Sequence, residues 1–343
     1  MSWLSDAVLA HLCGVTDAPD VCGTRYELVE AIGRGGMGTV YLARDRELDR
    51  QVALKVLDVG PDDAAARGRL AQEARIIARL EHPGIVPVHD SGVLPDGRLY
   101  YAMKLVRGRR LDEPGSCSAA LAERLRVFLK VCDAVAFAHA HGVIHRDVKP
   151  QNIMLGAFGE VLVMDWGVAR EVRAAQQPPV GGVDVRQGSS PQTAHGTVLG
   201  TPGYMAPEQA RGDVGAIDER TDVYGLGGVL YFLLTGRGPV HEEQRDVEPA
   251  PVPRPPRWSD RSIPRPLEAV CLKALAADPP SRYGNVPALA GDVANFLSGD
   301  RVGAYPEGFL GTVRRLSMRY RTVLSLIAAY LLMRILLLIF GHA

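Results

Sequence analysis

The chain is 343 residues long, enough for one large domain or two lobes with short extensions, and its 39 basic residues are matched by 39 acidic ones. With a formal net charge of zero, no global field draws in nucleic acid, and none is expected as a partner. Apolar residues at 47% and charged residues at 23% suit a soluble globular core, and the scattered Cys13, Cys22, Cys117, Cys132 and Cys271 form no C-x-x-C pair, which argues for reduced thiols in a cytosolic domain and against a disulfide framework or zinc site.

Residues 1–24 read as a short helix and a loose lead-in broken by Pro19 and Gly23; Asp6 and His11 interrupt its only apolar run, so no secretory signal is expected. From Tyr26 the texture becomes strand-like over 26–32, 39–44 and 51–57, separated by a glycine cluster and a charged turn, which predicts an antiparallel meander. Residues 64–80 predict a helix with Leu70, Ala74, Ile77 and Leu80 on one stripe. Two more strands are expected over 85–93 and 99–106, around the turn Pro95, Asp96, Gly97. After Gly108 the chain turns helical, over 119–141, 218–234, 267–277 and 286–297. A strand-rich part followed by a helix-rich part predicts an α+β chain in two lobes, not one mixed sheet. Residues 173–195, rich in Gln, Pro, Gly and Ser, and 242–265, rich in Pro and charge, read as loops, and no internal repeat is found.

The C-terminus differs in kind. Of the nineteen residues 322–340, twelve are Leu, Ile, Val or Phe, long enough to cross a bilayer. Arg334 is the objection, since a central arginine costs roughly 2.5–3.5 kcal/mol on insertion scales, but each large apolar residue returns about 0.3–0.6 kcal/mol and Arg334 lies near enough to the far end to snorkel. Arg314, Arg315, Arg319 and Arg321 flank the near side and place it in the cytoplasm, with only Gly341, His342 and Ala343 expected beyond the span. A hydrophobic helix docked on the body or on a partner is the alternative.

Gly33, Arg34, Gly35, Gly36, Met37 and Gly38 lie between two predicted strands, where glycines let backbone amides approach phosphate oxygens. No helix follows, so the dinucleotide-binding reading of G-x-G-x-x-G fails, and a flexible turn is the bland alternative. Lys55 sits inside the apolar strand Val52, Ala53, Leu54, Lys55, Val56 and needs a partner; Glu73, on the inward stripe of the next helix, supplies one, unless both are surface charges. The strongest signal is His145, Arg146, Asp147, Val148, Lys149, Pro150, Gln151, Asn152, followed by Asp165, Trp166, Gly167. An Asn and an Asp can hold magnesium through oxygen, and a separate Asp can orient a hydroxyl nucleophile.

With these motifs in order, and Ala206, Pro207, Glu208 after them, residues 26–298 resemble a eukaryotic-type protein serine/threonine kinase of the kind found in bacteria. The resemblance implies a bilobal protein-kinase fold over 25–299, with the small antiparallel-sheet lobe at 25–106 and the helical lobe at 107–299; the apolar and arginine pattern of the C-terminus adds an expected basic juxtamembrane stretch at 300–321 and a transmembrane helix at 322–340 that would tether the domain to the cytoplasmic face of a cell inner membrane. It implies ATP and Mg2+, with Lys55 on the α- and β-phosphates and paired to Glu73, Asp147 as base, Lys149 on the γ-phosphate, and Asn152 and Asp165 on the metal. Ile32, Val40, Ala53 and Met154 would sandwich the adenine, with Met103 beside it and the backbones of Lys104 and Val106 at its edge; Thr39 belongs to the glycine loop. Lys149 and Thr201 are the serine/threonine marks of this pattern.

By the same resemblance Asp222 bonds the loop backbone, Glu208 pairs with Arg282, and Arg146 implies activation by loop phosphorylation at Thr197 first and Thr193 second, with Ser189 and Ser190 incidental. Protein substrates with serine or threonine acceptors are implied, and self-association for trans-autophosphorylation is an open expectation. Two departures stand out. Trp166 replaces the usual phenylalanine, and between Gly236 and Ile263 the family's docking helix gives way to proline and charge. A pseudokinase is the first rival, opposed by the presence of Lys55, Asp147, Asn152 and Asp165; a small-molecule kinase is the second, opposed by Lys149 and the segment from Gly200 to Glu208.

Overall fold

The computed structural model describes residues 18–35, 38–57, 64–166, 169–171, 203–239, 253–308 and 321–340. Five strands, β1 (Tyr26–Gly35), β2 (Gly38–Asp45), β3 (Arg50–Val56), β4 (Val88–Val93) and β5 (Leu99–Lys104), form one antiparallel sheet in the order β1-β2-β3-β5-β4. Alternation sorts its side chains by face. Val52, Leu54, Val56 and Ala102 join Tyr26, Ala43 and Leu94 in a small outer core. Ala53 and Met103 face the other way, into the main core, to which helix α1 (Ala64–Arg79) adds Leu70, Ala74, Ile76 and Ile77.

The strand expected over 85–93 begins only at Val88. Pro87 has no N–H to donate to a ladder. Ile85 instead forms a parallel bridge with Val163, whose amide donates to the Gly84 carbonyl at 2.8 Å. That bridge ties the small lobe to the large one just behind the cleft.

The large lobe is built on helices α2 (Leu121–Ala140), α3 (Pro207–Ala210), α4 (Glu219–Thr235), α5 (Arg265–Ala274) and α6 (Val286–Ser298). Short strands β6 (Gly108–Arg110), β8 (Ile153–Gly156) and β9 (Val161–Val163) form one sheet, and β7 (Val143–Ile144) pairs with β10 (Arg170–Glu171). Helix α4 is buried along most of its length, and a Cβ at Gly225 would lie 2.8 Å from the Val148 carbonyl oxygen, so only glycine lets the 145–152 loop rest on it. Glu208 and Arg282, both fully buried, pair at 2.8 Å through both guanidinium Nη atoms; Arg282 also donates to the Ala276, Ala277 and Arg220 carbonyls, and Thr221 donates to Glu208. Every charge there has a partner, which is the condition for burying it.

The packed body continues past 299. Asp292 of α6 accepts from the Tyr283 hydroxyl at 2.8 Å and from the amides of Gly303 and Ala304 at 2.7 and 2.9 Å, which folds Val302 into the main core. In the proline-rich stretch, residues 253–264 hold one 3₁₀ turn, Pro256–Trp258; the loop expected over 173–195 lies outside the described residues. Helix α7 (Arg321–Phe340) matches the expected C-terminal helix, and its described side chains, 325–334, are all exposed. Among the described residues, which for α7 include side chains only over 325–334, no helix is long and apolar enough to cross a membrane.

Candidate functional site

Lys55 and Glu73 meet beneath the sheet. Lys55 Nζ lies 2.9 and 3.1 Å from the two Glu73 carboxylate oxygens and 3.1 Å from Asp165 Oδ1. With Lys55 at 8% exposure and Glu73 at 1%, these are buried partners and not surface charges. Burial opposes the ammonium, but Glu73 and then Asp165 overrule it and hold the Lys55 pKa above its ordinary value. Burial also pushes the Glu73 carboxyl up. Its contacts are nevertheless those of a carboxylate, since Lys55 reaches both oxygens and the Tyr101 hydroxyl donates to Oε1 at 2.8 Å, so we treat the pair as charged. Asp165 is half exposed, so loss of water works upward on its carboxyl only in part, and Lys55, with His145 and Lys149 behind it, keeps the carboxyl below the usual range.

The loop from His145 to Asn152 gathers the second group. Lys149 Nζ lies 2.7 Å from Asp147 Oδ2, and Asn152 Nδ2 donates to the same oxygen at 3.0 Å and to the Asp147 carbonyl at 2.9 Å. Both donors converge on Oδ2, so Oδ1 is the oxygen placed to take a proton. The loop is held from below by Asp222, which accepts from the His145 and Arg146 amides at 2.8 and 2.7 Å and contacts His139 Nε2 at 2.7 Å. Gln209 adds a bond to the Arg146 carbonyl at 2.7 Å. These contacts maintain a left-handed backbone at Arg146, φ 69°, and the site carries a second at Asp165, φ 57°. Trp166 fills the slot behind Asp165: it is fully buried, packs against His145 with ring centroids 4.5 Å apart at a 48° tilt, and donates to the Val163 carbonyl at 3.4 Å.

The glycine segment closes the opposite side. Gly38 has φ 150°, and an added Cβ would overlap the Val56 carbonyl oxygen. Gly33 and Gly35 pair with Val40 and Gly38 across the β1–β2 ladder, Arg34 is exposed, and Thr39 is buried. Ala53 and Met103 stand opposite each other on β3 and β5 in the main core, and Val40 and Val106 pack against it. Met154 is half-buried, and Ile32 is exposed at a register shift of β1. The Lys104 amide donates to the Pro87 carbonyl at 3.1 Å, so that amide is committed within the fold. Gly36, Met37, Thr193, Thr197 and Thr201 lie outside the described residues.

Among the described residues no three His, Cys, Asp or Glu side chains cluster as a metal site. Asn152 and Asp165 still fit magnesium. The Asn152 nitrogen is committed to Asp147, so its amide oxygen is left for a cation, and Asp165 stays ionised; Mg2+ commonly takes one or two protein oxygens when phosphates and water supply the rest. Sequence reasoning missed Tyr101 and His139. Tyr101 sits two residues before Met103, hence on the same strand face, and opposite Lys55 in register.

Residues 26–290 match the protein kinase domain family. A serine/threonine-protein kinase PknD from Chlamydia trachomatis (serovar L2b) is 38% identical over 304 residues, covering 80% of this chain and 32% of its own. The PknD of Chlamydia caviae is 39% identical over 298 residues, covering 80% and 31%. The chain thus spans about a third of the length of these curated relatives. The crystal structure of the Mycobacterium tuberculosis PknI kinase domain superposes with TM-score 0.60 at 29% identity, covering 82% of this chain and 99% of that one.

The His139–Asp222 contact has a pH signature. Burial opposes the imidazolium, but Asp222 raises the His139 pKa above 6.5, so the stabilisation is fully present below about pH 6.5 and is lost as pH rises through the raised value. His139→Gln is expected to be about 2 kcal/mol less stable than wild type at pH 6 in urea unfolding, with the gap shrinking toward pH 9. A gap that stays constant with pH would contradict a charged pair.

Proposed function

This chain belongs to the protein kinase domain family, and on that premise we propose that it transfers the γ-phosphate of ATP to serine or threonine hydroxyls of proteins. The observation that carries the reading is the convergence of Asp147, Lys149 and Asn152 with the Lys55–Glu73–Asp165 cluster at one cleft. The serine/threonine preference is supported by Lys149 two residues after Asp147 and by the chain's similarity to the serine/threonine-protein kinases PknD.

In this reading the amides of Gly33, Arg34, Gly35, Gly36, Met37 and Gly38 lie over the phosphates, and Lys55, steadied by Glu73, neutralises the α- and β-phosphates. Ile32, Val40 and Ala53 cover one face of the adenine and Met154 the other, Met103 closes the back, and the Lys104 carbonyl and Val106 amide take its edge. The acceptor hydroxyl gives its proton to Asp147 as its oxygen bonds to the γ-phosphorus, and the bond to the β–γ bridging oxygen breaks to release ADP. Lys149 holds the γ-phosphoryl oxygens through the transfer, and Thr201 positions the acceptor. Magnesium held by Asn152 and Asp165 would supply charge neutralisation on the phosphates. Phosphorylation at Thr197, or at Thr193, would bring an anion to Arg146 and set activity.

The chain is further proposed to be tethered to the cytoplasmic face of an inner membrane by residues 322–340. The apolar sequence of that helix supports this, as does the exposure of Leu326, Ile327, Leu331, Leu332 and Met333, each at least half exposed and none of them covered by the body.

Incubation of the purified full chain with Mg-ATP and phosphosite mapping tests the chemistry. Asp147→Asn is expected to lower kcat by roughly 10²–10⁴ while ATP still binds, with all label on serine and threonine. Equal labelling by both proteins would remove Asp147 from the chemistry, and no labelling by either would leave only an ATP-binding module. For the tether, truncation after Gly308 is expected to move the protein from the membrane fraction to the soluble one. A full chain that is soluble without detergent would refute it.

A further inference from the structure

Glu73 is held from two sides, and only one of them is Lys55. The Lys55 ammonium has several claims on it, from both Glu73 oxygens at 2.9 and 3.1 Å and from Asp165 at 3.1 Å, and in the phosphotransfer reading from the nucleotide phosphates as well. Each claim weakens the others. The Tyr101 hydroxyl is different. Glu73 Oε1 at 2.8 Å is the partner it donates to, and Tyr101 is 2% exposed, so water cannot substitute.

The two anchors also stand on different supports. Glu73 belongs to α1, while Tyr101 belongs to β5, paired on one side to β3 and on the other to β4. A phenylalanine would fill the same space between Lys55 and the core; a buried hydroxyl is unfavourable there unless it is bonded, and Glu73 is what it bonds. The phenol stays protonated at any physiological pH, because burial and the neighbouring Glu73 carboxylate raise its pKa well above 10.

We propose that Tyr101 is a positioning residue that latches helix α1 inward through Glu73, so that the Lys55–Glu73 pair forms without phosphorylation of the activation loop. The latch concerns regulation of the proposed phosphotransfer site and rests on that reading for its consequence. In wild type the latch makes a loop phosphate redundant for placing α1; only when the latch is cut does the position of α1 depend on that phosphate.

The test compares phosphatase-treated full-length wild type with Tyr101→Phe, which removes one oxygen and keeps the ring. The variant is expected to lose roughly tenfold in kcat/KM for ATP, the size of one hydrogen bond to a charged group, and to recover most of it once the loop is phosphorylated. In hydrogen exchange, the amides of residues 70–79 should exchange roughly tenfold faster in the variant while those of 121–140 stay unchanged. Equal losses with and without phosphate, faster exchange in both helices alike, or no change at all would each overturn the latch. An inactive wild type with selectively loosened residues 70–79 in the variant would keep the latch and sink the phosphotransfer reading. Should the variant not fold, wild type alone decides: exchange over 70–79 is expected to be the same before and after phosphatase treatment, and faster exchange after treatment overturns the proposal.

Discussion

A lysine ammonium buried as deeply as Lys55 is tolerated only where carboxylates surround it, and that requirement joins the two lobes. One carboxylate, Glu73, comes from helix α1 of the small lobe; the other, Asp165, comes from the segment after β9 of the large lobe. Strand β3 fixes where Lys55 points, because its neighbours Leu54 and Val56 are committed to the outer core and leave Ala53 and Lys55 facing the cleft. The cleft is therefore organised around one cation with more ligands than it needs, a suitable resting arrangement for the proposed role of donating to phosphate oxygens.

The large lobe solves a different problem, holding Asp147 on a loop with an unfavourable backbone. Asp222, on the buried helix α4, captures two consecutive amides of that loop, and His139 neutralises the carboxylate from α2. Gly225, one turn on, lets the loop lie against the helix. Trp166 continues the support on the Asp165 side by packing its ring against His145, so the site's two left-handed residues, Arg146 and Asp165, are braced through neighbouring side chains. The larger ring in place of phenylalanine is accommodated by full burial and a hydrogen bond to Val163.

Much of this was legible in the sequence because single residues violated their surroundings. Lys55 in an apolar strand, Glu73 on an apolar stripe and Asp222 in an apolar helix each demanded a partner, and each has one. Tyr101 sent no such signal, since a tyrosine in a strand reads as ordinary core until the register sets it opposite Lys55. Strands of two to four residues, such as β7 and β9, are too short for periodicity to reveal. The break before β4 lay in Pro87, and the extension of the body past 299 depended on Asp292, whose partners Gly303 and Ala304 are about ten residues away in sequence.

In the proposed reaction Asp165, bonded to Lys55, is the ligand that couples magnesium to nucleotide binding. Titration calorimetry of ATP with and without Mg2+, on wild type and Asp165→Asn, tests it most directly. Mg2+ is expected to tighten ATP binding to wild type, and the variant to lose about tenfold or more of this gain while binding metal-free ATP within a few-fold of wild type. An unchanged magnesium effect in Asp165→Asn would contradict it.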